Sequence, residues 1–469
     1  MIRNRDELVG SGDGENGDSG SADRIRGLAL DCIEEAVSGT RPERVVREAV
    51  ALGDDDVLSV AGETFDLGDY AEIVVLGGGK AAVGAAVALE SVLGERIDRG
   101  AVVTDDADGG GALDRIAVRE ADHPVPSERG VEGARAVLEL ADSADEDTLV
   151  LAVVTGGGSA LLPAPAEGVS LADLRRVTAD LLDSGADIRD INAVRKHCSA
   201  LKGGRLAERA GPARVVGLAL SDVVGNDLGT IASGPLSPDE TTFRDALGVL
   251  DRYGIDAPAA VRDRLDRGAR GEVSETPKSG HPAFECVSVH VVADGLTALD
   301  AAVEVARERG FGASILSSRV RGEAREAAKT LAGVAEEVRA SGNPLAPPAV
   351  VLSGGETTVT VRRGGSGGPN LEFALSWALD LDAPADAPIA LAAVDTDGRD
   401  GGTDVAGALV DAGTVGGRID ADTARDALAD NDALAPLADA GCAIRTGPTG
   451  TNVNDLRVLV VGDEREREA

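Results

Sequence analysis

The feature that most constrains this chain is a repeated order: a short apolar run, a glycine-rich turn, then a helical segment. It appears as EIVVLGGG at 72–79, GAVVTDD at 100–106, LVLAVVTGGG at 149–158 and RVVGLALSDV at 214–223. The runs are rich in Val and lack the polar alternation of a half-exposed strand. They fit strands covered on both faces, as in a parallel sheet with crossover helices. Helical patterns at 131–140 and 171–182 supply the crossovers, and another runs from about 22 to 52. After GARGEVSETPKSGHP at 268–282, a turn-rich break, the order resumes. CVSVHVVADG at 286–295 is followed by a helical stretch near 297–309 and GASILSS at 312–318. Beyond the Pro-rich NPLAPP at 343–348 come AVVLSGGETTVTV at 349–361, PIALAAVDTDGRDG at 388–401 and DLRVLVVG at 455–462.

The expected fold class is therefore α/β with two domains. The larger N-terminal one is a three-layer domain with a mainly parallel sheet; the smaller C-terminal one is also α/β. The breaks divide the chain into a disordered acidic tail at 1–22, a Rossmann-like domain at 23–282, a connecting α/β segment at 283–345 and the C-terminal domain at 346–462. No internal repeat of fixed period is apparent.

Charge narrows the function classes. There are 82 acidic and 46 basic residues, a net of -36. A nucleic-acid binder would carry a basic footprint, so that role is disfavoured. An acidic surface around an ordinary core fits a salt-adapted, halophilic source. Lysine is nearly absent: Lys80, Lys196, Lys202, Lys278 and Lys329 are the whole set. Each remaining lysine therefore stands out, and the first three fall in motif-like stretches. The four cysteines form no CxxC pair and the four histidines no HExxH, which argues against a transition-metal site. The N-terminus lacks the apolar centre of a signal peptide, and no apolar run is long enough to span a bilayer. A cytoplasmic protein without membrane or nucleic-acid partners is expected.

Open α/β sheets bind ligands at the carboxyl ends of their strands, and the unusual residues of this chain gather there. The turn at Gly77–Lys80 matches neither GxxxxGK[ST] nor GxGxxG. Its glycines, Gly78 and Gly79 among them, would still let backbone N–H groups approach an anion, with Lys80 adding a charge. A second turn carries Gly157, Gly158 and Ser159; GxSxG fails there, which disfavours a nucleophile elbow. In DINAVRKHCSALKGG at 190–204, helical spacing would put Asn192, Arg195, Lys196, Ser199 and Lys202 on one face, a basic anion site in an acidic protein. Asp222 ends a buried strand, where it could hold a cation or a hydroxyl. Glu356 follows two glycines, Asn370 reads as a helix N-cap, and Asp395 and Asp397 could hold Mg²⁺ through oxygen.

Together these segments resemble the glycerate 2-kinase family, whose members carry a C-terminal MOFRL domain. The resemblance rests on VLGGGKAAVGAA, HPVP at 123–126, TGGGSALLPAPAEG, INAVRKHCSALKGG, SDVVGND with IASGP, SGGETTVTV, PNLEFAL, DTDGRDGGTDVAGA and TGPTGTNVNDL at 446–456, in family order over most of 25–462. It implies ATP-dependent phosphorylation of the C2 hydroxyl of D-glycerate, giving 2-phosphoglycerate and ADP. Its implied partners are glycerate and a nucleotide, with Mg²⁺ as the metal, and it allows a homodimer. The family lysine of the first glycine turn maps onto Lys80, the main catalytic group, with Arg195 beside it as a second.

One stretch departs from the family pattern. Where the family commonly has GGRNQE, this chain has Gly367-Gly368-Pro369-Asn370-Leu371-Glu372. Either another arginine, with Arg195 the candidate, supplies the charge lost at Pro369, or that arginine's role is not general. Two rival readings are a hydroxypyruvate reductase, which would need a dinucleotide fingerprint not evident here, and a non-catalytic anion-binding relative.

Overall fold

The structure is a computed structural model that describes residues 1–10, 21–108 and 110–463. Part of the acidic tail expected to be disordered, 11–20, lies outside the described residues; Arg5–Val9 within that tail is a helix. The chain forms two compact units, Pro42–Val292 and Met1–Arg41 with Ala293–Ala469.

The unit Pro42–Val292 begins with a three-stranded antiparallel sheet, β1 (Val50–Leu52), β2 (Val57–Val60) and β3 (Glu63–Asp66). Its main sheet holds β4 (Glu72–Gly78), β5 (Arg99–Thr104), β6 (Ile116–Glu120), β7 (Thr148–Thr155), β8 (Arg214–Leu220) and β9 (Val287–Ala293), in the order β6-β5-β4-β7-β8-β9. The strands from β6 to β8 pair in parallel. Val74, Leu76, Val150, Ala152 and Val154 join one core with Ala134 and Val137 of the helix Glu128–Asp142. The alternate residues Ile73, Val75, Leu149, Leu151 and Val153 are buried too. Both faces of the sheet are thus covered, which is why its strands read as unbroken apolar runs.

The other unit has a second six-stranded sheet, of β10 (Gly312–Glu323), β11 (Ala349–Thr358), β12 (Ile389–Asp395), β13 (Gly407–Asp411), β14 (Ala443–Ile444) and β15 (Asp455–Val461), in the order β10-β11-β15-β12-β13-β14. Here only β10 and β11 run parallel; the remaining pairs are antiparallel. One face packs on the helices Ala324–Ser341 and Pro369–Asp380 around Trp377 and Phe373. The other packs on Ser21–Gly39 and Gly295–Glu308.

Two boundaries therefore differ from the expected ones. The helix Ser21–Gly39 belongs with the C-terminal unit, because Ile25, Leu28, Ala29 and Ile33 share a core with Val350, Ala392 and Val458. The stretch 293–345 is part of that unit and not a connector, since β10 pairs along β11 from Gly312↔Ala349 onward.

No helix among the described residues is long and apolar enough to cross a membrane.

Candidate active site

In the unit Pro42–Val292, three neighbouring parallel strands, β4, β7 and β8, end in special turns. Gly79 has φ +136°, and a Cβ there would lie 2.1 Å from the Thr155 hydroxyl and 2.5 Å from its carbonyl oxygen. Only glycine lets the turn after β4 nest against the turn after β7. The nesting is sealed by hydrogen bonds. Gly79 N–H donates to Val103 O at 2.9 Å, Lys80 N–H to Gly156 O at 2.9 Å and Ala81 N–H to the Thr155 hydroxyl at 3.2 Å. This corrects the expected role of Gly79: its N–H and the two that follow are already satisfied within the protein. Gly78 lies in β4, where a Cβ would meet Val103 O at 2.8 Å. Both glycines serve packing, and what the turn offers a ligand is the Lys80 side chain.

That side chain runs past the second turn. A Cβ on Gly157 (φ +79°) would stand 3.0 Å from Lys80 Cγ and 3.4 Å from the His123 ring. Asp222, at the end of β8, accepts the Gly157 N–H. Burial lifts the Asp222 carboxyl above its usual range, against the pull of Lys80 and that N–H. Lys80, His123, Gly157 and Asp222 thus form one group. His123 was quoted from sequence only as part of HPVP; nothing in its spacing predicts its place beside Lys80.

Ser159 starts a hydrogen-bonded chain. Its hydroxyl lies 2.6 Å from that of Ser233, which donates to Asn192 Oδ1 at 3.0 Å. Ser233 sits in a left-handed stretch, Ala232 φ +49°, Ser233 φ +62° and Gly234 φ +64°. Gly158 is close-packed on Ala232, 2.8 Å from its Cβ were a Cβ present. Strain of this kind persists where the surroundings fix it, commonly at functional sites.

The basic stretch is not one helical face. The helix Ile188–His197 ends at a Cys198 cap, so Ser199 and Lys202 lie in the turn beyond. Ser199 accepts the N–H groups of Leu201 and Lys202. The basic residues then separate by partner. Lys196 is buried and pairs with Asp239, Nζ to Oδ1 3.3 Å. Lys202 is buried, donates to Leu162 O at 3.3 Å and is held down to about 7, by burial first and by Arg195 second. Arg195 stands one turn beyond Asn192 and is lowered by burial. His197 is fully buried between two acceptors, Nδ1 to Ala193 O at 2.7 Å and Nε2 to Glu275 Oε2 at 3.0 Å.

The other unit gathers a second set. Asn370 is not the cap of its helix. Gly368 is the N-cap of Pro369–Asp380, and Asp400 accepts the N–H groups of Asn370 at 2.9 Å and Leu371 at 2.8 Å. Asn370 Nδ2 donates to Asp455 at 2.7 Å. Asp455 also takes Arg457 Nη2 at 2.6 Å, and that buried guanidinium lies 4.3 Å from the Phe373 ring. Burial lifts Asp400 to about 7, against its N–H bonds and with Asp455 adding to the rise. Asp395 is raised well above the usual range by burial and then by Asp397, whose N–H it accepts at 2.9 Å. Glu356 is exposed. No group of three or more His, Cys, Asp or Glu among the described residues is arranged to hold a metal by itself.

The chain is similar to known proteins in sequence and fold. Residues 28–266 match the family described as Domain of unknown function (DUF4147), and residues 349–455 match the MOFRL family. A protein of Thermotoga maritima named D-glycerate 2-kinase is 39% identical over 438 residues, covering 93% of this chain and 98% of that one. A protein of Agrobacterium vitis named putative hydroxypyruvate reductase is 41% identical over 392 residues, 83% of this chain and 87% of its own. The crystal structure of a glycerate kinase from Thermotoga maritima superimposes with a TM-score of 0.79 at 38% identity, covering 92% of this chain and 98% of that one.

Proposed function

Since the chain belongs to the glycerate 2-kinase family, which joins a DUF4147 domain to a MOFRL domain, we propose that it transfers a phosphoryl group from ATP to the C2 hydroxyl of D-glycerate. The products are 2-phosphoglycerate and ADP. The observation that carries this reading is Lys80 beside Asp222 at the carboxyl edge of β4, β7 and β8.

Phosphoryl transfer demands charge neutralisation and alignment more than covalent help. Lys80 is the cation for the phosphoryl group in transfer. Asp222 is a buried carboxylate made more basic than an ordinary aspartate, which suits it to take the proton of the attacking hydroxyl. Ser159 and Ser233 offer hydroxyls that can bond the acceptor. Arg195 adds a second positive charge to the site.

Asp395 and Asp397 fit Mg²⁺ in a limited sense. Two adjacent carboxylates, of which Asp397 raises the proton affinity of Asp395, favour a cation beside them, yet they are too few to hold one without further oxygen ligands. Such ligands are what a nucleotide triphosphate and water provide. When bound, Mg²⁺ supplies neutralisation of phosphate charge.

The hydroxypyruvate reductase reading draws on the name of the Agrobacterium relative. It would need the first glycine turn open to a dinucleotide pyrophosphate, and the N–H groups of Gly79, Lys80 and Ala81 are already bonded. The acidic composition supports a salt-adapted cytoplasmic enzyme. Phosphorus NMR of ATP, Mg²⁺ and D-glycerate with the protein in molar salt tests the reaction. A 2-phosphoglycerate resonance is expected; 3-phosphoglycerate, or no phosphoglycerate, would overturn the reading.

A further inference from the structure

Two cations stand side by side in the unit Pro42–Val292 without a carboxylate to match them. Lys202 is 5% exposed, and its ammonium, with three donors, makes one hydrogen bond, to the Leu162 carbonyl. Arg195 is its charged neighbour. Among the described residues the Arg195 guanidinium has neither a hydrogen-bond nor an ion-pair partner. The other lysines of the site differ: Lys196 has Asp239 and Lys80 has Asp222. Positive charge left uncompensated is therefore concentrated at positions 195 and 202.

Burying two like charges together is costly. The cost is offset when an anion sits between them. Among the described residues, the nearby acids are engaged elsewhere, Asp190 of the same helix by Arg252 and Glu275 by His197. The helix Ile188–His197 contributes Arg195 and the neutral Asn192. The short helix Gly158–Leu161 contributes Ser159, and the turn Ile231–Ser233 contributes Ser233. Past Gly203, Asp239 is engaged by Lys196, Thr241 and Thr276.

We propose that Lys202 and Arg195 together bind the carboxylate of the acceptor hydroxy acid, and that Lys202 takes up a proton as it does so. The inference rests on the kinase reading above. A carboxylate and a phosphate share the chemistry this pair recognises. The carboxylate is the better match, because its two oxygens can take one donor each from the guanidinium and the ammonium, and two positive charges fall short of a nucleotide triphosphate. Asn192, one turn before Arg195 on that helix, leads into the Asn192–Ser233–Ser159 chain, which can orient the hydroxyls next to that carboxylate. The empty-handed ammonium, titrating at about 7, is partly neutral near neutrality. Anion binding must then protonate it, and the affinity must fall as pH rises beyond that point.

Calorimetric titration of the full chain with D-glycerate, without nucleotide, reads this directly when run in buffers of different ionisation enthalpy. Near pH 6 binding should take up almost no proton; near about pH 8.5 uptake should approach one, with affinity falling up to about tenfold per pH unit. Lys202→Arg should keep binding and abolish the uptake. Lys202→Met should weaken D-glycerate binding by about tenfold or more and leave ADP binding unchanged. Absence of uptake by the wild-type chain at the higher pH overturns the proposal, as does equal uptake by Lys202→Arg. Lys202-linked uptake on titration with ADP in place of D-glycerate also overturns it. The wild-type measurement decides even if a variant fails to fold. Failure of the kinase reading looks different: D-glycerate binds with proton uptake, but no 2-phosphoglycerate forms when ATP is added.

Discussion

Lys196 and Asp239 form a buried ion pair, Nζ to Oδ1 3.3 Å, in a helix whose next basic neighbour, Arg195, has no such partner. Burial alone would raise the Asp239 carboxyl, but Lys196 and the hydroxyls of Thr241 and Thr276 hold it below its usual range. Lys196 thus belongs to the scaffold of the site. Lys196→Met should destabilise the chain by about 3–5 kcal/mol, since it strands a buried carboxylate. Urea denaturation checks the loss. A large rise in KM for glycerate with unchanged stability would return Lys196 to the ligand.

Lys80 carries the opposite expectation. Lys80→Ala removes a side chain that lies over Gly157, not one that seals a core. Circular dichroism should be unchanged, while turnover with ATP and D-glycerate falls at least about tenfold. Full turnover in this variant would sink the assigned role.

Asp222→Asn keeps the shape of the side chain and removes its basicity. kcat should fall by about two to three orders of magnitude with little change in KM for ATP. The wild-type rate should rise with pH through a group titrating above the ordinary aspartate range, because the ionised carboxylate is the active form. A pH–rate profile in which the variant retains that acidic limb would assign it to another group.

The glycine after β4 makes a sharper structural test. Gly79→Ala would force a Cβ into the Thr155 backbone at positive φ, so about 3 kcal/mol or more of stability should be lost. Gly94 also has positive φ, +52°, but nothing lies within 4 Å of its Cβ position. Gly94→Ala should cost only about 1–2 kcal/mol. Equal losses in thermal melts would mean that the interlocked turns are looser than they look.

Asp400 makes stability depend on pH. Its carboxyl titrates near 3.8 when unfolded and about 7 when folded, so the folded state binds more protons between those values. Its contribution is largest below the lower value and diminishes as pH rises to 7. Denaturant melts should show the wild type losing stability relative to Asp400→Asn across that window. A wild type that gained stability relative to Asp400→Asn as pH rose would reverse the sign and refute the shift.

The unbroken Val-rich runs located nearly every long strand, because they report burial on two faces. They do not report direction. β12 and β15 read like β4 and β7, yet they are antiparallel, since helices cover both faces of that sheet as well. β1 was hidden behind a helical pattern that carried on to 52, whereas the helix Pro42–Ala49 stops just before Val50; the short β2 and β3 carry no unbroken apolar run to mark them. At the site, glycine turns and rare lysines marked the right segments. What sequence could not tell apart was Lys196 from Lys202. Both are buried and six positions apart, and the difference is made by Asp239, which the fold brings in from a distant loop. Likewise the N–H groups of the first glycine turn looked available until Val103 of β5 and Thr155 and Gly156 at the end of β7 supplied their acceptors.

The helix Ser21–Gly39 packs on β12, β15 and the helix Gly295–Glu308, all of which follow the whole of Pro42–Val292 in the chain. On the ribosome, this helix emerges long before β12, β15 and the helix Gly295–Glu308 that it packs against. Pro42–Val292 is contiguous and can close its core while synthesis continues. The early helix must meanwhile keep Ile25, Leu28 and Ile33 from wrong associations. Its contacts, such as Cys32 with Ala302 across 270 positions, are long-range in sequence, so its docking belongs late in folding.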